Sequence, residues 1–403
     1  MAIKTGQILH DARGFVVDRI QTGGVSNLNI PQDTIKELGN FNTVAIVRDI
    51  PDLSFDIESL DCTTQMEALV TNVDPTTVTD GQAFDFQNAI PLDVISPFRS
   101  ALNHFDIVKG IGIPYLNLES VAYKFGVKDN AAQTFSFRGD SVYYVPGSPR
   151  YQAWDGDGTT STFSFANTAI VYHETGIPEY ALSVCVHYAD GTYRRLFHGT
   201  DYSDTSANFV LVDPTVAPSG SKIVAIYGTA TVDTFPQSVS ANASVKPAAI
   251  RGKDIDVYIG TVAATPVFTR WTGVQSVDCT WKVTLDADQE FGNKQYVTQD
   301  YDVPDVSGSI DVKSRDVADL WTKIAQASNV PTNEVASPLT STPLPIEIRI
   351  SHPDTGDRVK TIYVPDARFT VPALQGKVGQ KQEVSFPFAS EGGFIYVYNG
   401  ARP

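Results

Sequence analysis

The string Asp155-Gly156-Asp157-Gly158-Thr159-Thr160 sets two carboxylates one residue apart among glycines, the way a calcium-binding loop begins. Such a loop needs a bidentate glutamate at its twelfth position, where this chain has Ala166, so the string reads as a glycine-rich turn. The six histidines, His10, His104, His173, His187, His198 and His352, form no HxxxH or HxH pair. His173-Glu174 lacks the second histidine of a zinc protease helix, and no metal site is expected. There is no GxSxG elbow and no phosphate-cradling loop with its lysine, so nucleophilic and nucleotide chemistry both lack an anchor. Cys62, Cys185 and Cys279 are odd in number and widely spaced, and read as small buried hydrophobes. The aromatic strings Tyr143-Tyr144 and Phe394 to Tyr398 could stack on sugars or bases, but their alternation fits buried strand faces better. No catalytic, cofactor-binding or metal-binding residue is assigned, no cofactor is expected, and the chain reads as a non-enzyme.

With 403 residues, 42% of them apolar and 19% charged, the chain can bury real cores, and its length suggests two or three domains. Thirty Lys plus Arg against 46 Asp plus Glu gives a formal charge of −16. That balance argues against a protein that grips nucleic acid, since phosphate binding needs clustered positive charge. The opening MAIKTGQILHDARG has no apolar run, and no stretch of about eighteen apolar residues suggests a membrane span, so synthesis in the cytoplasm is expected.

The elements that would hold any site repeat along the chain. Asp49 to Leu60, DIPDLSFDIESL, is answered by Asp302 to Val312, DVPDVSGSIDV. Each copy runs on into a helical pattern. In the first, Thr64 and Glu67 are spaced as a capping box; in the second, Val317, Leu320, Trp321 and Ile324 fall at helical intervals. PLDVISP from Pro91 is answered by PIEIRISHP from Pro345, a strand that puts Ile346, Ile348 and Ile350 on one face and Glu347 and Arg349 on the other. Tyr115 to Gly147 is answered by Val364 to Gly400. Three blocks recur in one order at displacements of about 250 residues, which indicates a tandem duplication. The clearest strand sets Val277, Cys279, Trp281, Val283 and Leu285 against Asp278, Thr280, Lys282, Thr284 and Asp286.

Between the copies, Tyr151 to Phe235 has its own β grammar, with the strand-like Tyr180 to Tyr188, the Asp190-Gly191 turn and SKIVAIYG, which indicates a small sandwich. Gln237 to Pro247 is small, polar and nearly uncharged, as a linker should be. The expected fold is mainly β: two β-sandwich or barrel domains at 1–150 and 248–403, each with a short flanking helix, and an inserted β-sandwich module at 151–236 followed by a linker at 237–247.

A strand ending in Pro-Asp-Val-Ser-Gly, a return strand, a helix like DVADLWTKIAQA, a hairpin and a last pair of strands around KQEVSFPF resemble the tail tube proteins of long-tailed phages. The resemblance covers about Gly14 to Gly147 and Ile250 to Gly400, and the middle segment is similar to β modules that decorate phage tail proteins. It implies a structural virion protein, made in the host cytoplasm and located in the virion tail. With two tube domains per chain, it implies trimeric rings that stack into a hollow tube, with an outward-facing middle module dispensable to the tube. The implied partners are further copies of the chain, the tape measure, terminator and baseplate proteins, and DNA that passes through the lumen without specific binding; no membrane is involved. It also implies ring-stacking roles for the polar stretches Thr22 to Asn40 and Asp286 to Tyr301. Two alternatives stay open: a distal-tail or baseplate hub protein that caps a tube, and a carbohydrate-binding tail fibre or adhesin.

Overall fold

The computed structural model describes residues 10–11, 17, 20–30, 32–35, 45–48, 50–60, 63–99, 106–145, 147–166, 170–171, 181–189, 193–230, 233–234, 250–261, 265–288, 298–313, 322, 343–370 and 383–403. The chain is mainly β, with antiparallel sheets, as its alternating patterns indicate. The first half carries β1 (His10–Asp11), β2 (Ile20–Asn29), β3 (Gln32–Ile35), β4 (Ala45–Arg48), β5 (Asp52–Ser59), α1 (Gln65–Val70), β6 (Ala83–Asp85), β7 (Leu92–Arg99), β8 (Asp106–Gly126), β9 (Ala132–Gly139) and β10 (Tyr143–Val145). The middle carries β11 (Ser148–Asp155), β12 (Thr162–Ser164), β13 (Ile170–Val171), β14 (Ala181–His187), β15 (Tyr193–Leu196), β16 (Tyr202–Asp204), β17 (Asn208–Leu211), β18 (Lys222–Thr229) and β19 (Asp233–Thr234). The second half carries β20 (Ile255–Gly260), β21 (Phe268–Arg270), β22 (Val274–Lys282), β23 (Leu285–Asp288), β24 (Thr298–Tyr301), β25 (Asp305–Lys313), β26 (Leu344–Ser351), β27 (Arg358–Phe369), β28 (Glu383–Ser390) and β29 (Tyr396–Asn399).

Several strands of the first half have a counterpart in the second at a near-constant offset. Val274 follows Ile20 by 254 residues, Leu285 follows Gln32 by 253, Asp305 follows Asp52 by 253, Leu344 follows Leu92 by 252 and Glu383 follows Ala132 by 251. Register repeats as well. Phe55 faces Phe137 as Gly308 faces Phe388, Leu118 faces Phe137 as Phe369 faces Phe388, and Val94 faces Ile113 as Ile346 faces Val364. A one-residue slip would turn every core side chain outward, so matching register means matching cores.

Side-chain period fixes which face is inside. In β5, Leu53, Phe55 and Ile57 are buried between partly exposed neighbours, and in β22 Val277, Cys279 and Trp281 do the same. The alternating run from Val277 to Asp286 is not one strand, however. It breaks after Lys282, where Val283 donates its N–H to the Glu119 carbonyl, and resumes as β23. One core cluster runs through both halves, with Phe86 of the first half against Trp281 of the second at 5.6 Å between ring centroids. Burying one such aromatic contributes about 1.5–3 kcal/mol.

β8 is the long member of the set. Its first part pairs with β7 and β10, and its last part with β9 and β22. The strand turns at Tyr115, whose φ of 59° is unusual for a residue with a side chain. The Asp93 carboxylate accepts the Tyr115 N–H at 2.8 Å and holds that turn in place.

Two sequence expectations need correction. Thr64 and Glu67 form no capping box: Thr64 donates its hydroxyl to Asn399 Oδ1, and the Glu67 carboxylate is buried against Lys360 instead of the helix start. Glu347, on the face opposite the isoleucines, is buried, with Arg349 and Arg402 both against its carboxylate. The aromatics of β29 are not its core face; Ile395 and Val397 are buried while Phe394 and Tyr396 stack, partly exposed, at 6.2 Å. The second helix, with Val317, Leu320, Trp321 and Ile324, lies outside the described residues, as do Cys62, the Asp190-Gly191 turn and the segment Gln237 to Pro247.

The middle strands form a five-stranded sheet, β11, β18, β14 and β15 with β13 on β18, and a three-stranded sheet, β12, β17 and β16. Phe163, Phe165, Val184, Val186, Phe209 and Tyr227 fill the core they share.

Candidate assembly surface

The halves join edge to edge. β22 pairs with β25 on one side and on the other with the end of β8, from Ser276 opposite Gly126 to Lys282 opposite Ser120. A second exchange puts β6 of the first half beside β29 of the second. Behind this seam, Lys360 on β27 reaches Glu67 Oε1 on α1 at 2.7 Å and Gln133 Oε1 on β9 at 2.8 Å. The Tyr123 hydroxyl donates to the same Glu67 oxygen at 2.8 Å. Lys360 and Glu67 are wholly buried and Gln133 is 2% exposed. Removing one member of such a buried pair strands the other charge, at a cost of about 3–5 kcal/mol.

The counterpart of β22 in the first half is β2, and among the described residues it is paired on one side only. β2 lies against β5, and no other described strand pairs with it. Most of its residues are exposed, with Val25 at 39%, Leu28 at 46% and the following Ile30 at 41%. The strand has no charged residue and no proline, the two common ways in which an open edge is kept from pairing with another chain.

The polar stretches expected to stack rings are limbs of two long hairpins. Thr22 to Asn29 is most of β2, which leads into the β3–β4 hairpin, and Asp286 to Tyr301 contains the matching β23–β24 hairpin. Residues 36–40 and 289–297 at the tips lie outside the described residues.

The middle strands are fastened to the first half by a buried ion pair. Arg195 on β15 donates from Nη1 to both Asp140 oxygens, at 2.9 and 2.7 Å, with side chains 3% and 1% exposed. Its guanidinium also lies 4.8 Å from the centre of the Tyr115 ring. Asp140 holds the Arg195 charge so firmly that its pKa rises despite burial, which alone would lower it. Ile226 packs with Ile95 and Val145 across the same contact, and a side chain at Gly110 would meet Pro149 Cγ at 2.9 Å. The resemblance implies a dispensable module; the contact found is dry and ion-paired.

The residues weighed for chemistry are engaged structurally. Asp157 accepts from the Thr159 and Thr160 N–H groups and the Thr160 hydroxyl, which close its turn and lower its pKa. His198 lies 3.3 Å from Asp204, and His352 Nδ1 accepts from the Asp354 N–H. The side chains of His10, His104 and His173 lie outside the described residues. Cys185 and Cys279 are free and buried, and burial pushes both thiols up to about 12. Among the described residues no helix is long and apolar enough to cross a membrane.

Of the residues that organise the seam, Gln133 and Lys360 escaped sequence reasoning, as did Asp140 and Arg195, and Glu67 stands out only as a capping-box partner. One signal was present: Asp106-Ile-Val-Lys-Gly-Ile111 recurs as Asp357-Arg-Val-Lys-Thr-Ile362, which singles out Lys360. Nothing comparable marks Arg195.

No family model matches the chain, and no curated protein matches it. Among the solved structures that resemble it in part are the following three. A chain from the tail of an empty gene transfer agent particle matches at 15% identity and TM-score 0.23, covering 36% of this chain and 96% of its own length. One from the virion of a native gene transfer agent particle matches at 14% and 0.22, covering 38% and 98%. One from the baseplate of an anti-feeding prophage matches at 11% and 0.27, covering 39% and 97%. At TM-scores this low they bear on neither function nor assembly.

Proposed function

We propose that the chain is a structural subunit of a phage tail, a tail tube protein whose two halves take quasi-equivalent places in a ring of three copies. The observation that carries this is the one-sided pairing of β2 beside the two-sided pairing of its counterpart β22. Inside the chain, the second half's β22 is completed by the first half's β8. A neighbouring copy would complete β2 in the same way, and a head-to-tail contact of this kind closes into a ring when its rotation permits. The modules of the subunit are 1–150, 151–236 and 248–403, with 237–247 as linker and the middle module facing outward. The long hairpins β2 to β5 and β22 to β25 would reach the adjacent ring. A formal charge of −16 suits a conduit that DNA passes through without adhering. The subunit would meet the tape measure, terminator and baseplate proteins at the ends of the tube.

Electron microscopy of the purified protein tests this. Threefold rings that stack into hollow tubes are expected from the natural chain. A chain carrying Val25→Lys and Leu28→Lys should stay folded and monomeric, since charge on an open edge opposes pairing. Rings that persist in that variant would remove β2 from the contact; a single closed ring that never stacks would indicate a hub that caps a tube.

A further inference from the structure

Lys360, Gln133 and Glu67 bring an amine, a carboxamide and a carboxylate together where there is no exposed surface. They come from β27, β9 and α1, and 293 and 227 residues separate Lys360 from its two partners, so only the folded chain assembles them. We propose that Lys360 and Gln133 join through an isopeptide bond, with Glu67 moving the protons.

The arrangement has the three parts the reaction needs. Nζ lies 2.7 Å from Glu67 Oε1, within reach of a proton transfer that leaves a neutral, nucleophilic amine. Nζ already touches the carbonyl oxygen of the amide it attacks, one bond away from Cδ. Holding reactants in this way replaces a bimolecular encounter and has effective molarities of ~10⁵–10⁸ M in well-aligned cases. Glu67 also keeps a spare oxygen: Oε1 receives Lys360 and Tyr123, while Oε2 is buried with no hydrogen-bond partner among the described residues. A buried carboxylate oxygen left without a donor is costly in a purely structural pair, and it is the atom a proton shuttle requires.

The balance closes without any co-reactant. Lys360 Nζ forms a bond to Gln133 Cδ, and the Gln133 Cδ–Nε2 bond breaks. Glu67 takes two protons in turn from Nζ and returns one to the departing nitrogen, which leaves as neutral ammonia while Glu67 keeps the other and ends as an uncharged carboxylic acid. The product links the first half to the second covalently and replaces the buried ammonium with a neutral amide.

The test is the intact mass of the purified full-length protein, which does not depend on whether rings form. The expected mass is lower than that of the sequence by one ammonia, and trypsin should yield a branched peptide that contains both Gln133 and Lys360, uncleaved after Lys360. Glu67→Gln and Gln133→Leu should restore the unmodified mass. A natural chain with the full mass overturns the proposal whatever the variants do. So does an ammonia loss accompanied by ordinary cleavage after Lys360, because the loss then lies elsewhere.

Discussion

Replacing Arg195 with alanine should loosen the middle strands from the first half more than any surface substitution on either. The guanidinium donates from Nη1 to both Asp140 oxygens with both side chains out of water, and it faces the Tyr115 ring. Charges at such separations attract by about 4 kcal/mol at the effective dielectric that suits proteins. Stranding one buried partner costs about 3–5 kcal/mol, and loss of the ring contact adds ~1–2 kcal/mol in a dry site. A thermodynamic cycle over Arg195→Ala, Asp140→Ala and the double variant separates the pair from its surroundings. Hydrogen exchange of the β14, β15 and β18 amides is the suitable readout, since one global unfolding temperature is ill-defined for a chain with several cores. Each single variant should lose about 3–5 kcal/mol of protection there, and the double variant should lose much less than the sum. Arg195→Lys should keep the charge but not the planar group over the Tyr115 ring, and recover only part of the loss. Single losses below about 1 kcal/mol that simply add would show that the pair behaves as an exposed one, and the reasoning from burial would be wrong.

Gly308→Ala should destabilise the second half by about 1–3 kcal/mol, because its Cβ would run onto the Asp278 carbonyl oxygen and lie 2.6 Å from Phe388 Cζ; chemical denaturation followed by Trp fluorescence reads this. Cys185 and Cys279, with thiols pushed up to about 12, should resist alkylation at pH 8 in the native protein and react fully in denaturant; native labelling of either would contradict its burial. Asp157 has its pKa lowered, first by the Thr160 hydroxyl and then by the Thr160 and Thr159 amides. A depressed folded value means that the turn's contribution is present above the unfolded aspartate value of about 3.9 and fades as pH falls through the folded value. Carboxyl NMR should show Asp157 still ionised below pH 3.9; titration at about that value would refute the turn's role.

What the sequence disclosed was what is local or periodic. The alternation of Val277, Cys279 and Trp281 marks a buried face because β side chains have period two, and the recurring Pro-Asp blocks mark the duplication because both copies must make the same turns. Phe55 and Gly308 show the limit of such reading. They occupy matching positions, yet one fills its core and the other leaves room for Phe388. The spacing of Thr64 and Glu67 fits a capping box, but a lysine 293 residues away supplies a stronger partner for the carboxylate. The same holds for Arg195 and Asp140, whose meeting depends on how the middle strands settle on β7, β8 and β10. No local pattern encodes a contact between distant segments. The one-sided pairing of β2 among the described residues is harder still to read, because a strand paired on one edge and its counterpart paired on both share the same alternation.

The seam between β22 and β8 also has a kinetic side. Because both strands belong to one polypeptide, their meeting does not depend on protein concentration, and a tether of this kind acts like a local concentration of about millimolar or more. In any assembly built from repeats of that contact, every second junction forms during folding and only the remaining ones wait for a collision. Dilution would then break the assembly at alternate joints, releasing whole chains with their internal junction intact.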